Sequence, residues 1–382
     1  MDAAAAPAPR SRPRLRSLDA FRGATIALMI LVNNAGDWSR TYAPLLHAQW
    51  HGWTPTDLVF PFFLFILGAA IPLAFGDRRR DPAASARLHA KILRRAAILF
   101  ALGLFLTWFP FFTVNWSRAR VPGVLQRIAL VYLAAALAHL HLRPRGRAVL
   151  GAGLLGAYWA AMKLVPVPGF GAGDLSPQGN LAFWLDHAIL GAHTWRYAPG
   201  PGDPEGILST LPAIVSALAG IFVGELLRSE RTVRRKLGLM LAWGAAATAA
   251  GLALQPLFPI NKNLWSPTYV IFTTGAAMLA LGAAYALIDL LGVRRWARPF
   301  EAFGTNAIAA YVGSGLLAKI LLAVRWSDGA GHTVTLNRFL YSTVYAAHLP
   351  EYVASLAWAL THVAIWWAVV AALDRRKIYF KI

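Results

Sequence analysis

Residues 56–75 read Thr56-Asp57-Leu58-Val59-Phe60-Pro61-Phe62-Phe63-Leu64-Phe65-Ile66-Leu67-Gly68-Ala69-Ala70-Ile71-Pro72-Leu73-Ala74-Phe75. After its first two residues this run contains no charged side chain, and about 20 apolar residues suffice for one helical crossing of a bilayer. The whole chain has a similar character: 57% of its 382 residues are hydrophobic and 14% are charged, whereas about 25% are charged in soluble proteins. The sequence therefore predicts an all-α, polytopic membrane protein and not a soluble domain with one core.

Further stretches share this length and apolar character, so we predict about ten transmembrane helices in all. The predicted spans are 17–35, 56–75, 92–110, 122–142, 147–165, 206–227, 237–256, 267–291, 300–323 and 351–373. The longest connection, 166–205, is predicted to fold over the membrane face, and the amphipathic segment 334–349 is predicted to be an interfacial helix. Residues 1–16, rich in Ala, Pro and Arg, are predicted to form a disordered tail that precedes a single transmembrane domain, 17–382.

The basic residues predict the orientation of the chain. Most of the 37 Lys and Arg residues fall in alternate connections and near the two termini. The positive-inside rule therefore predicts cytoplasmic termini and an even number of crossings. The same clustering accounts for the formal charge of +20, so we expect a lipid bilayer and not nucleic acid as a partner. The absence of cysteine excludes disulfides and thiolate chemistry, and the Ala- and Arg-rich composition is typical of a bacterial inner membrane.

The opposite connections carry most of the polar variety of the chain. The most informative is the run His47-Ala48-Gln49-Trp50-His51-Gly52-Trp53, between the first two spans. Imidazole is the side chain best suited to move protons near neutral pH. His47 is therefore predicted either to take part in catalysis or to be a polar surface residue without a chemical role. His47 and His51 have the i, i+4 spacing of some metal ligands, but no carboxylate at close spacing completes such a site, and no metal is predicted.

Two residues near His47 have a functional and a structural interpretation. Asp57 lies at the start of the second span, where it can orient His47 or cap the helix after Thr54. Asn33 ends the first span, where its amide can stabilise an oxyanion or be an ordinary polar helix end. Both alternatives remain open on the residues alone.

Charged residues inside or beside the spans also allow two interpretations. Asp19 and Arg22 share a helix face at i, i+3, so they either form an interfacial ion pair or hold a phosphate-bearing donor. Arg127 lies within the fourth span and needs a carboxylate or a substrate anion as its partner. Asp203 and Glu205 open the sixth span, where they bind an amine or a sugar or simply interact favourably with a helix N-terminus.

Several runs, taken in order, resemble the heparan-α-glucosaminide N-acetyltransferase family and its bacterial members over about residues 14 to 380. The runs are Ser17-Leu18-Asp19-Ala20-Phe21-Arg22-Gly23, Val32-Asn33, His47-Ala48-Gln49-Trp50-His51-Gly52, Thr56-Asp57-Leu58-Val59-Phe60-Pro61, Val121-Pro122-Gly123-Val124-Leu125-Gln126-Arg127, Asp203-Pro204-Glu205-Gly206, Asn261-Lys262-Asn263-Leu264-Trp265-Ser266 and Phe303-Gly304-Thr305-Asn306-Ala307. The stretch from His47 to Pro61 is the most specific, whereas the Asp19/Arg22 motif also resembles a wider class of transmembrane acyltransferases.

This resemblance implies an acetyl transfer across the membrane. The donor is cytosolic acetyl-CoA, and the acceptor is the amino group of a glucosamine-type sugar on the far side. The family's active histidine corresponds to His47, and Asn33 belongs to the same site. We expect Asp57 to assist them, Asp19, Arg22 and Arg127 to bind the donor, and five side chains to contact the acceptor. These five are Trp50, His51, Glu205, Asn261 and Asn306.

A second function, an inner-membrane permease for N-acetylglucosamine or a related amino sugar, also fits ten helices with polar groups at one face. Transporters often contain internal repeats and paired broken helices, and the sequence shows no persuasive pair. Gly220 and Gly224 form a small-residue face that packs helices and is compatible with a homodimer.

Overall fold

The computed structural model describes residues 15–76, 82–329 and 331–380, in which the chain forms α-helices and two short β-hairpins. The α-helices are α1 Arg16–Asn33, α2 Val59–Phe75, α3 Pro82–Trp108, α4 Val124–His141, α5 Pro144–Leu164, α6 Leu181–Leu190, α7 Thr210–Arg228, α8 Val233–Ala253, α9 Pro267–Tyr285, α10 Arg298–Thr305, α11 Ala307–Ala323, α12 Leu336–Tyr341 and α13 Glu351–Arg375. Strands β1 Pro166–Val167 and β2 Gly171–Ala172 pair antiparallel, as do β3 Arg325–Ser327 and β4 Thr333–Thr335. Residues 1–14 of the predicted tail lie outside the described residues, and Arg16 already begins α1.

Each of the ten predicted spans coincides with one of these helices or with a helix pair, which confirms an all-α, multi-pass membrane protein. Among the described residues, six helices are long and apolar enough to cross a membrane, and a bent pair makes a seventh. Charged side chains within α1, α3 and α5, such as Arg22, Arg95 and Arg147, lower their hydropathy. The count of ten crossings and the cytoplasmic position of the termini therefore remain predictions.

Four predicted elements differ from the structure. Helix α3 begins at Pro82 and not near residue 92, because a basic first half extends the apolar span. The predicted span 300–323 is broken into α10 and α11, which meet at an angle of 83°. The connection 166–205 contains the short helix α6. In the segment 334–349, α12 continues directly into a π-helical turn, so the helix covers only 336–346, and the residues before it belong to β4.

Helices α2 and α7 cross at glycines that allow their backbones to touch. A Cβ atom on Gly68 would lie 2.0 Å from the carbonyl oxygen of Ala217, and one on Gly220 would lie 2.0 Å from that of Phe65. On Gly224 the nearest atom would be the carbonyl oxygen of Ala69, at 2.3 Å. The Gly220/Gly224 face therefore packs against α2 of the same chain. This face is therefore occupied within the chain, and a homodimer remains a prediction that needs another surface.

The connections that the sequence predicts on one side of the membrane contact one another at one end of the bundle, here called the histidine end. Connection 34–54 contacts 254–266 through a hydrogen bond from Gly52 N to Ile260 O of 2.8 Å. Connections 109–123 and 165–209 are joined by Val121 N and His193 O, at 3.0 Å. The basic connections lie at the opposite end, here called the basic end, where α7 passes into α8.

At the basic end, α1 and α10 are joined by close backbone packing and an ion pair. A Cβ atom on Gly304 would lie 2.0 Å from the carbonyl oxygen of Asp19. The guanidinium of Arg16 donates two hydrogen bonds to Glu301, of 2.9 and 2.8 Å. At the break after α10, the side chain of Asn306 donates to Ile378 O and accepts from Phe380 N, both at 3.2 Å. The chain beyond α13 is thereby tied to the α10–α11 break.

Candidate active site

The candidate site lies at the histidine end, where connections 34–54 and 254–266 meet. The Asn261 amide, fully buried, is within hydrogen-bond distance of His51 Nδ1, at 3.2 Å, and its oxygen accepts from Leu264 N at 2.9 Å. A third connection contributes the carbonyl oxygen of Leu175, which accepts from Trp50 Nε1 at 2.9 Å. Two segments far from it in the sequence therefore fix the loop that carries His47.

His47 and Asp57 form a histidine–carboxylate pair. The distance from His47 Nδ1 to Asp57 Oδ1 is 2.7 Å. The imidazole is 47% exposed, whereas the carboxylate beneath it is 1% exposed. Because a carboxylate only accepts hydrogen bonds, the neutral imidazole carries its proton on Nδ1 and leaves the Nε2 lone pair free for a substrate. This is the arrangement of a general base whose tautomer is fixed by a buried acid.

The second oxygen of Asp57 holds the loop that precedes it. Asp57 Oδ2 accepts from Ala48 N and Thr54 N, both at 3.0 Å, and from the Thr54 hydroxyl at 3.2 Å. The Tyr269 hydroxyl from α9 donates to the backbone carbonyl of Asp57. Asp57 therefore makes both contacts that the sequence offered as alternatives, to His47 and to the helix start after Thr54.

Lys262 is a residue of this cluster that the sequence did not single out. Its Nζ atom lies 3.1 Å from both ring nitrogens of His47 and 3.8 Å from Asp57 Oδ1. Burial lowers the pKa of Lys262, and the carboxylates of Asp57 and Glu205 act in the opposite direction. One available signal was that Lys262 stands on the side where basic residues are scarce, inside a run already identified as a motif.

Among the described residues, Asn33, Trp50 and His51 form no side-chain hydrogen bond with the His47–Asp57 pair. Asn33 is exposed at the last position of α1, and its side chain forms no hydrogen bond with the rest of the described chain. Helix α1 contacts the 3₁₀ turn Pro55–Leu58, which contains Asp57. Trp50 packs edge-on against Phe183, with ring centroids 5.6 Å apart. Burial lowers the pKa of His51, which favours its neutral form beside Asn261.

A second set of charged groups begins at the Asp203-Pro204-Glu205-Gly206 turn. Arg120 donates to both oxygens of Asp203, at 2.7 and 2.6 Å, and also to Glu205. Burial alone would raise the pKa of Glu205, but Arg120, Arg127 and Lys262 outweigh it and lower that pKa. Burial raises the pKa of Asp186 to about 6, although it accepts hydrogen bonds from Ile207 N and Asp203 N. Glu205 is thus a carboxylate held between three cations.

Arg127 is buried beside this turn. Its Nη2 atom donates to the carbonyl oxygen of Gly206, at 3.2 Å, and to the Ser209 hydroxyl. Its guanidinium carbon lies 5.1 Å from the ring centroid of Trp265. Two of its nitrogens, Nε and Nη1, have no hydrogen-bond partner in the described part of the chain. Buried donors of this kind require an acceptor, so the geometry fits a ligand oxygen.

The remaining predicted residues lie at the basic end. Arg22 donates to Asp19 Oδ1 and to the carbonyl oxygen of Gly304, both at 3.3 Å. Asn306 is hydrogen-bonded to the chain that follows α13, as described above. The part of α1 between Arg22 and Asn33 spans about 16 Å at 1.5 Å per residue, so the side chains of Asp19 and Arg22 do not reach His47. Within the described ranges no group of three or more His, Cys, Asp or Glu side chains is arranged to hold a metal ion.

Known proteins are similar to this chain over nearly all of its length. Residues 14–254 match the family described as heparan-alpha-glucosaminide N-acetyltransferase, catalytic. Two curated relatives with the name heparan-alpha-glucosaminide N-acetyltransferase are 29% identical (Homo sapiens, over 427 aligned positions) and 27% identical (Mus musculus, over 429). Both alignments cover 97% of this chain, and they cover 60% and 61% of the relatives. The chain thus spans about three fifths of the length of these relatives.

Proposed function

We propose that this chain, which belongs to the family of heparan-alpha-glucosaminide N-acetyltransferase catalytic domains, is an acetyltransferase of a bacterial inner membrane. It moves an acetyl group from cytosolic acetyl-CoA to the amino group of a glucosamine-type sugar on the periplasmic side. The family supports the reaction class, and the asymmetry of Lys and Arg supports the orientation. The observation that carries the proposal is the 2.7 Å contact between His47 Nδ1 and Asp57 Oδ1.

The chemistry follows from the free Nε2 atom of His47. An acceptor amine attacks the thioester carbonyl carbon, and Nε2 takes a proton from the amine nitrogen. The N–C bond forms, the C–S bond breaks, and the imidazolium returns that proton to the departing thiolate. General base catalysis of this kind contributes about 10²- to 10⁴-fold in rate. Asp57 stabilises the imidazolium that forms in between.

A two-step route uses the same nitrogen. In that route Nε2 attacks the thioester carbonyl itself, an acetyl-imidazole forms as the thiolate leaves, and the amine then displaces the imidazole. Half-exposure of the ring permits either route. To distinguish the two routes, the protein is incubated with acetyl-CoA in the absence of acceptor and the reaction is then quenched. A peptide with acetylated His47 indicates the two-step route.

Asn33 is the proposed oxyanion donor. Its exposed amide stands at the end of α1, which contacts the turn carrying Asp57. One such donor typically contributes about 2.7 to 4 kcal/mol to the transition state. Within the described chain no hydrogen bond engages the side-chain amide of Asn33, so its N–H groups can donate to a substrate oxygen.

The donor is proposed to extend between the two ends of the bundle. The charged nucleotide part of CoA cannot enter hydrocarbon and belongs at the basic end, where Asp19 and Arg22 lie. Arg127, near the histidine end, has two donor nitrogens to offer to an oxygen of the pantetheine arm or of another anion. Support for Arg127 is therefore stronger than for Arg22, whose guanidinium already binds Gly304 O.

Among the proposed acceptor contacts, Glu205 and Trp50 are the best supported. Glu205 pairs with Arg120 through one oxygen, and its other oxygen is proposed to accept a hydrogen bond from the sugar. Trp50 offers an aromatic face to a sugar ring at the rim of the His47 loop. His51 and Asn261 are within hydrogen-bond distance of each other, and Asn306 is bonded at the basic end, so direct acceptor contacts have less support there.

One observation favours the permease. The 83° bend between α10 and α11 is a broken span, a feature of transporters that the sequence did not reveal. However, the polar atoms of Asn306 at the break are engaged by Ile378 and Phe380. A transporter would also need a second, related break to form a pseudo-symmetric site.

The test uses purified protein in proteoliposomes, with radiolabelled acetyl-CoA and glucosamine as acceptor. We expect acetyl transfer by the natural protein and its loss, by about 10²-fold or more, in His47→Ala with an unchanged melting temperature. His348→Ala, a histidine outside the cluster, is the matched control. Full turnover in His47→Ala would contradict the role of His47. Uptake of labelled N-acetylglucosamine without acetyl-CoA consumption would instead favour the permease.

A further inference from the structure

We propose that Lys262 is a positioning residue of this site: its ammonium charge opposes protonation of the His47 ring, so the Nε2 lone pair stays available to the acceptor amine. The reaction in which the acceptor amine takes part rests on the proposed function. The effect of the Lys262 charge on protonation of the His47 ring does not, because it can be measured on the protein without any substrate.

The geometry carries this inference. Lys262 Nζ is 3.1 Å from Nδ1 and 3.1 Å from Nε2 of His47. Equal distances place the ammonium beside the ring, between the two nitrogens, and not on a single in-plane lone pair. The lysine therefore acts on the ring chiefly through its charge. Since its side chain is only 18% exposed, water screens that charge incompletely.

The charged groups that face His47 come from two elements. Asp57, in the turn before α2, favours the imidazolium, and Lys262, in connection 254–266, disfavours it. Lys262 itself interacts with Asp57, Glu205 and Arg127. The two charges therefore act in opposite directions on the ring: the carboxylate fixes its tautomer and favours the imidazolium, and the lysine opposes the imidazolium.

The same charge helps the later half of the reaction. Once Nε2 has taken the proton from the amine nitrogen, the imidazolium lies beside the Lys262 ammonium. Repulsion between the two cations favours transfer of that proton to the sulfur of the departing thiolate. The N–C bond has then formed, the C–S bond has broken, and the proton has passed from nitrogen to sulfur.

The first measurement is the pH dependence of carbethoxylation of His47 by diethylpyrocarbonate, read by mass spectrometry of the purified, detergent-solubilised full chain. The reagent attacks neutral imidazole, so the midpoint pH reports protonation of the ring. In Lys262→Met we expect this midpoint to rise by about 0.7 pH unit or more, because unit charges at contact distance interact by about 1 kcal/mol even in bulk water and one pH unit corresponds to about 1.4 kcal/mol. Lys262→Arg should retain the natural midpoint.

Lys163→Met is the matched control, because Lys163 lies over the Phe258 ring, at 5.5 Å, beside the same connection. Its midpoint should equal that of the natural protein. An unchanged midpoint in Lys262→Met would overturn the proposal, as would an equal rise in Lys163→Met. If Lys262→Met does not fold, a rise in the neutral but shorter and more polar Lys262→Gln decides instead.

The second measurement is the pH profile of kcat/KM for acetyl transfer. In Lys262→Met its acid limb should move to higher pH, in the same direction as the chemical midpoint. If the natural protein acetylates no glucosamine-type acceptor, the proposed function fails, and the carbethoxylation result still decides the role of Lys262. If transfer occurs but neither the acid limb nor the midpoint moves, the inference about Lys262 fails and the proposed function stands.

Discussion

At the scale of the residue, the single carboxylate of Asp57 serves two purposes. One oxygen meets the imidazole of His47, and the other accepts three hydrogen bonds from Ala48 and Thr54. Buried carboxylates need several donors to remain charged, and here the loop supplies them. The loop conformation and the tautomer of the base therefore depend on the same side chain.

Substitution of Asp57 by Asn should separate the two purposes. The amide oxygen can still accept from the loop, but the amide nitrogen then faces Nδ1 and places the ring proton on Nε2, the wrong tautomer. We expect kcat to fall by about 10⁴, the typical result for this change in a histidine–carboxylate pair. Acetyl transfer at saturating substrate measures this effect.

Thr54→Val is the control, because it removes the hydroxyl contact to Asp57 Oδ2 and leaves the His47 contact in place. Thr54→Val should lower the melting temperature without the large loss of kcat expected for Asp57→Asn. Equal losses of kcat in Asp57→Asn and Thr54→Val would indicate that loop structure, and not the tautomer, limits the reaction.

Sequence reasoning identified His47 and Asp57 because ten residues separate them and a single loop carries both. It did not identify Lys262, which is 215 positions from His47 and approaches only when two connections meet. It also assigned Asn306 to the acceptor, although that amide binds the chain after α13. Local spacing predicts local pairs, whereas contacts between distant connections depend on how the helices pack.

At the scale of the element, apolar length was enough to locate each spanning helix, because hydrocarbon demands a continuous apolar helix. The break after α10 was not predicted because the two helices pass together as one apolar span on average, although the polar residues Thr305 and Asn306 stand at the bend. Helix α6 was also missed, because its ten residues lie inside a connection rich in Gly and Pro. Hydropathy locates helices but does not detect bends or short helices between spans.

The α2–α7 crossing gives a prediction about stability. Gly68→Ala should lower the melting temperature, because its new Cβ atom would lie 2.0 Å from the backbone oxygen of Ala217 and force the helices apart. Overpacking of this kind costs about 1 to 3 kcal/mol. Thermal unfolding of the protein in detergent measures it.

Gly238→Ala in α8 is the matched control, since nothing lies within 4 Å of the added atom. Alanine is favoured over glycine in a helix by about 1 kcal/mol, so this variant should be as stable as the natural protein or more so. If Gly68→Ala is equally stable, the close contact between α2 and α7 does not exist in the membrane.

At the scale of the whole molecule, polar variety and basic charge lie at opposite ends of the bundle. Arg16 and Phe380 both contact the α10 region, through Glu301 and Asn306. Chain segments before the first span and after the last one are therefore neighbours, which is the arrangement that an even number of crossings requires. The positive-inside rule predicts that this shared end is cytoplasmic.

The lack of native cysteine makes this orientation directly measurable. We expect Ser39→Cys, exposed at the histidine end, to react with a membrane-impermeant maleimide in intact spheroplasts. Arg145→Cys, exposed at the basic end, should react only after the membrane is opened. The cysteine-free natural chain is the control for background labelling. Labelling of Arg145→Cys alone in intact spheroplasts would reverse the orientation and separate His47 from a periplasmic acceptor.

The contacts of Arg16 and Phe380 with the α10 region have a consequence for engineering. Glu301 and Asn306 are five positions apart, about 7.5 Å along a helix axis, so Arg16 and Phe380 can be linked by a short flexible peptide. New termini opened in the β3–β4 hairpin, at the other end of the bundle, would then give a circular permutant. In such a protein a reporter fused to the new terminus would lie at the histidine end of the bundle and not at the basic end.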